Sequence, residues 1–119
     1  MDFELTADQV ELRDVSRAFA RNEMTALAKT IEETSESPSR EWLERYAEMG
    51  FLGVNVSPDY GGLGLGDLEA LIVLEEFAKV HPACAFPIFE SCVGPIKAIE
   101  RLGSESLKRR LIPEVCRGS

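Results

Sequence analysis

Apolar residues recur at three- and four-residue steps through most of the chain, and that period predicts helices. Leu12, Val15, Phe19, Leu27 and Ile31 fall on one stripe, with Arg13, Arg17, Arg21 and Glu23 largely off it. Ahead of the stripe, Thr6-Ala7-Asp8-Gln9 forms a capping box, in which the Thr6 hydroxyl can accept from the Gln9 amide while the Gln9 side chain reaches back. Leu5 and Val10 stand where a hydrophobic staple would close. The first helix is expected from about Thr6 to Glu33, ended by the polar run Thr34-Ser35-Glu36-Ser37-Pro38. A second starts at Pro38 or Ser39 and turns Trp42, Leu43, Tyr46 and Ala47 inward. Gly50 can take the left-handed position after it, bringing Phe51 back onto Tyr46.

Between Leu52 and Val56 the β-branched content could support an extended segment, but Ser57-Pro58-Asp59 stops it early, so it reads as coil. Asp67 is expected to cap a third helix reaching about Lys79. Leu68, Leu71, Ile72, Val73, Leu74, Phe77 and Ala78 cover more than half of its circumference, which places it centrally. A fourth helical stretch, about Ala83 to Leu102, carries Phe86, Phe89, Val93, Ile96 and Ile99 at helical steps. Pro87 and Gly94-Pro95 should bend or interrupt it. Gly103 closes that stretch, Ser104 caps a fifth helix with Leu107 and Leu111 four apart, and Pro113 ends or kinks it. No segment alternates with period two and no repeat recurs. The expectation is an all-α fold, a helical bundle of about five helices, in one domain over residues 1–119.

The run Tyr60-Gly61-Gly62-Leu63-Gly64-Leu65-Gly66 invites a nucleotide-site reading, but its spacing is wrong. Position 67 is Asp where a dinucleotide fingerprint needs glycine, and no Gly-Lys-Ser/Thr follows as a P-loop requires. The glycines instead allow a tight backbone turn against neighbouring helices. His81 is the sole histidine and has no helix-spaced ligand pattern beside it, so neither a metal site nor a catalytic triad is supported; a capping job at the turn before Pro82 is expected. The adjacent carboxylates Glu75 and Glu76 lie 100° apart on a helix, so at most one points inward, and they read as a solvated edge. Lys108-Arg109-Arg110 reads as a cationic helix C-terminus.

Composition narrows the partners. With 13 Lys+Arg against 21 Asp+Glu, the formal charge of −8 repels nucleic acid and anionic lipid. Cys84, Cys92 and Cys116 form an odd set without a CxxC pair, expected to be free and mostly buried in a reducing compartment. The acidic start Met1-Asp2-Phe3-Glu4 lacks a signal-peptide pattern, and no apolar run nears the roughly 18 residues a bilayer span needs. A cytoplasmic location is expected, with no membrane span.

Five stretches, in order, resemble the N-terminal domain of the acyl-CoA dehydrogenase family across essentially the whole chain. Phe3-Glu4-Leu5-Thr6-Ala7-Asp8-Gln9 with Phe19-Ala20-Arg21-Asn22-Glu23 is similar to the opening helix. Glu48-Met49-Gly50-Phe51 and Ser57-Pro58-Asp59-Tyr60-Gly61-Gly62-Leu63-Gly64-Leu65 resemble a helix end and a proline-to-glycine loop, the most specific piece. Leu74-Glu75-Glu76-Phe77-Ala78 and Leu102-Gly103-Ser104-Glu105-Ser106-Leu107-Lys108 through Pro113 and Gly118 complete the series. Ala26 and Glu32 stand where members often carry a proline and an aspartate.

The resemblance implies a three-domain FAD enzyme of fatty acid metabolism that desaturates acyl-CoA thioesters at the α,β bond, usually as a homo-oligomer. In such enzymes the catalytic base comes from a C-terminal helical bundle and the flavin is gripped mainly by a middle β domain. This chain stops before the first flavin-contacting strand, so it is expected to hold no catalytic residue, no metal and no FAD by itself, and to be inactive without those domains or a partner subunit. Its implied role is to wall the acyl pocket with Phe86, Glu90 and Val93, which share a helix face at i, i+4 and i+7. Simple core packing of Phe86 and Val93 remains the alternative. So does a stand-alone helical interaction module without catalysis, or the same domain from a related flavin oxidase or monooxygenase.

Overall fold

The structure, a computed structural model, describes residues 2–119. Among these residues there is no strand, and the chain runs through six α-helices: α1 (Ala7–Thr34), α2 (Arg40–Glu48), α3 (Asp67–Val80), α4 (Pro82–Ile88), α5 (Pro95–Leu102) and α6 (Glu105–Cys116). The anticipated fourth helix is realised as α4 and α5, bridged by a π turn at Phe89–Val93. The molecule is a slab of 40 × 40 × 21 Å, about two helix diameters thick. No described helix is long and apolar enough to cross a membrane.

α1 begins as its sequence directs. The Thr6 hydroxyl accepts from the Gln9 N–H at 3.2 Å, and the Thr6 N–H donates to Gln9 Oε1 at 2.9 Å. Its inner face packs on α3 and, through Phe19, on an aromatic cluster that centres the core. Phe19 lies 5.2 Å from Phe51 and 5.7 Å from Phe77, and Tyr46 lies 5.2 Å from Phe77. Phe51 thus meets Tyr46 through these two intervening rings. The Tyr46 hydroxyl, fully buried, donates to the Cys84 carbonyl at 3.0 Å, which satisfies it and ties α2 to α4. A smaller cluster of Val56, Ile96 and Ile112 joins α5 and α6.

Several expectations need correction. Val15, Leu68 and Leu71 are exposed, because the apolar stripes on α1 and α3 are wider than the elements packed against them. Asp67 is the first residue of α3 and not its cap; Gly66 holds that position, with its N–H donating to Glu69 Oε2 at 3.1 Å. The stretch read as coil, Leu52 to Val56, opens inside a 3-10 turn, Phe51–Gly53, and a second such turn follows it at Pro58–Tyr60. α6 continues through Pro113 to Cys116, held by Ile112 buried against the second cluster. Lys108-Arg109-Arg110 therefore sits in the first half of α6, where Arg109 pairs with Glu105 at 2.9 Å.

Candidate functional site

α4 starts from an imidazole cap. His81 Nδ1 accepts from the Ala83 N–H at 3.0 Å, so its proton is on Nε2, which donates to Glu32 Oε1 at 2.6 Å at the far end of α1. Pro82 follows, where its missing N–H costs nothing. Past Ile88 the helix widens into the π turn, closed by the Gly94 N–H donating to the Phe89 carbonyl at 2.7 Å. Within this stretch Cys84, Ala85, Ile88, Ser91 and Cys92 face the core.

Phe86, Glu90 and Val93 are left on the outside. Phe86 is 58% exposed and Val93 42% exposed, so core packing does not account for either. A π turn takes more residues per revolution than an α turn, so i, i+4 and i+7 no longer share one line. Phe86 and Glu90 together line a cleft of about 440 Å³, whose lining also includes Ile31, Pro38 and His81 and the acidic Glu32 and Glu36. Val93 lines a second, smaller cleft with Leu71 and Asn55.

Charged groups elsewhere are structural. Glu76 is buried, and its carboxylate accepts two bonds from Arg17 at 3.1 Å and one from Lys79 at 2.8 Å. Chiefly the Arg17 hydrogen bonds, with Lys79 helping, hold it below the usual carboxylate value despite its burial. Glu76 therefore bridges α1 and α3 and is no solvated edge, whereas Glu75 is exposed. Glu100 is raised by burial but brought lower overall by Lys97 and the Ser57 N–H. Burial pushes the Cys116 thiol up to about 11, with the nearby Cys92 adding to the shift, and burial also raises Cys84, so these thiols stay protonated and are poor nucleophiles. All three cysteines are free, and no cluster among the described residues could hold a metal.

The glycine loop is spent on itself. The N–H groups of Gly62, Leu63, Gly64 and Leu65 donate to the carbonyls of Ser57, Gly53, Val56 and Val54. No run of free amides is left to cradle a phosphate, and α3 opens with the acidic Asp67 and Glu69. A cleft of about 770 Å³ is walled by Glu44, Glu48 and Asp59, with Arg117 among them. The polar knot of Asn55, Asp67, Lys97 and Glu100 leaves no periodic signature, because Asn55 lies in a turn, Asp67 on α3 and the other two on α5.

Comparisons with known proteins agree with this architecture. A family profile described as "Acyl-CoA dehydrogenase, N-terminal domain" matches residues 6–119. The chain is 31% identical over 118 residues to acryloyl-CoA reductase (NADH) of Anaerotignum propionicum, covering 99% of this chain and 29% of that protein. It is 30% identical over 115 residues to mitochondrial isovaleryl-CoA dehydrogenase of Bos taurus, covering 96% and 27%. Among solved structures, butyryl-CoA dehydrogenase of Megasphaera elsdenii superposes with a TM-score of 0.86 at 21% identity, covering 99% of this chain and 31% of that one, a likeness of fold. PigA, solved as an FAD complex, superposes with a TM-score of 0.84 at 25% identity, covering 99% and 31%. The chain thus spans less than a third of the length of these relatives.

Proposed function

The chain belongs to the acyl-CoA dehydrogenase family as its N-terminal helical domain, and from that premise we propose that it forms one wall of the acyl pocket in an FAD-dependent enzyme that desaturates acyl thioesters. The observation that carries this reading is Phe86 and Glu90 side by side on an open cleft, borne by a segment whose other face is locked in the core. A wall needs that combination of rigid support and an outward side chain. Val93 extends the wall toward α3, beside Leu71.

On this reading the base and the flavin grip are supplied from outside these 119 residues, by further domains or by a partner subunit, in keeping with a chain that spans 29% and 27% of the relatives it matches. A flavin oxidase or monooxygenase built on the same domain would use the same wall. In a protein that joins this domain to flavin-binding and base-bearing domains, Phe86→Ala enlarges the cleft. Relative kcat/KM should move toward longer acyl groups by about tenfold. An unchanged chain-length profile sinks the proposal. The isolated chain should leave the absorbance and fluorescence of added FAD unaltered, and quenching on titration would contradict that expectation.

A further inference from the structure

His81 stands between α3 and α4 with its backbone pinned on both sides: its N–H donates to the Phe77 carbonyl at 3.3 Å, and its own carbonyl accepts from the Cys84 N–H at 2.9 Å. Only the ring is left to respond to a change in its surroundings. Pro82 has no N–H, so Ala83 carries the first donor of α4, and its bond to His81 Nδ1 at 3.0 Å caps the helix. Nε2 holds the other side of the ring on Glu32 at 2.6 Å, across to α1.

These two bonds respond oppositely to one proton. A neutral imidazole has one acceptor nitrogen and one donor nitrogen, and with Nε2 already protonated an added proton can go only to Nδ1. There it meets the Ala83 N–H donor against donor, and the cap bond is lost. The bond to Glu32 becomes charge-assisted instead. The charges around the ring pull the same way. Glu32, Glu36 and Glu90 line the cleft with His81, from α1, the loop after it and the π turn, whereas Lys79 on α3 is turned to Glu76 at 2.8 Å. The 3-10 turn Phe51–Gly53, which also packs on α4, carries no titratable side chain. A cationic ring is therefore drawn toward α1 and away from the start of α4.

We propose that His81 is a proton-operated latch: on taking up a proton the ring keeps Glu32 and releases α4, whose first turn carries Ala83 and Phe86 into the cleft of about 440 Å³. A histidine suits this use, because imidazole is the side chain that ordinarily changes charge closest to neutral pH. Release of the cap loosens the helix start while the tether to α1 holds, so the movement falls on Ala83 and Phe86 and not on the packing of α1. The latch goes beyond the acyl-wall reading and stands whether or not an acyl group enters the cleft.

Magnetic resonance of the isotope-labelled chain from about pH 8 to about pH 5 tests the latch. The His81 ring carbons, the Ala83 amide and the Phe86 ring should move with one shared midpoint. Across it the exchange protection of the Ala83 amide, corrected for the pH dependence of exchange itself, should fall at least about tenfold. In His81→Asn, whose side-chain oxygen caps without titrating, Ala83 and Phe86 should stay still over the same range. A His81→Asn protein that keeps the original response would assign it to the three glutamates and overturn the proposal. So would a His81 ring that holds one charge state throughout, or an Ala83 amide or Phe86 ring that ignores the titration of His81.

Discussion

Gly62 occupies a position where a Cβ would stand 2.1 Å from the Val56 carbonyl oxygen, backbone against side chain with nothing able to yield. Gly62→Ala should therefore cost about 3 kcal/mol by urea denaturation, at the upper end for overpacking; a loss below about 1 kcal/mol would show that the loop shifts freely. Glu76 makes a different prediction. Its carboxylate is held below the ordinary value of 4.5, so its contribution to stability is complete above that value and is lost as pH falls through the lower native one. Glu76→Gln should be less stable at neutral pH and should flatten the acid-side fall of the urea midpoint between about pH 5 and pH 3. An unaltered acid slope would reject this role. The glycine run was legible as a tight turn because positive φ and close approach favour one residue type. Glu76 was not, since its partner Arg17 lies 59 positions away on another helix.

The segment from α4 to α5 joins its caps to its surface. His81 caps α4 and ties it to Glu32 on α1, so His81→Ala removes both and should cost about 1 kcal/mol in a thermal or chemical melt. His81→Asn restores a capping oxygen and should recover part of the loss; equal stability of all three proteins would mean that the cap is idle. Side-chain caps such as Thr6 and Ser104 were readable in the sequence because they act within four positions of their own amides, whereas at α3 the expected Asp67 gave way to Gly66. The π turn was foreseen only as a bend near Pro87 and Gly94-Pro95. Its effect on the register of Phe86, Glu90 and Val93 depends on which residues the core claims, and Ile88, Ser91 and Cys92 claim it.

For the whole molecule, the exposed apolar residues are the main unsettled surface. Leu68 and Leu71 on α3 are 51% and 48% exposed, and Phe89 on the adjoining π turn is 44% exposed. The isolated chain should bind an apolar dye and self-associate in sedimentation, and Leu71→Lys should reduce both without lowering the melting temperature. A strict monomer at high concentration that ignores the dye would mean that this face needs no cover.

The amino-acid sequence by itself determined where most of the helices lie, the caps at Thr6, His81 and Ser104 and the glycine turn, because periodicity, capping and turn chemistry act between neighbours in the chain. Only the tertiary structure decided which stripe residues are buried and which stay outside, how Glu76 and Asn55 are paired, and where the clefts open. Those outcomes depend on how wide an apolar stripe is compared with the partner packed on it, and on groups tens of residues apart meeting in space, which no local pattern encodes.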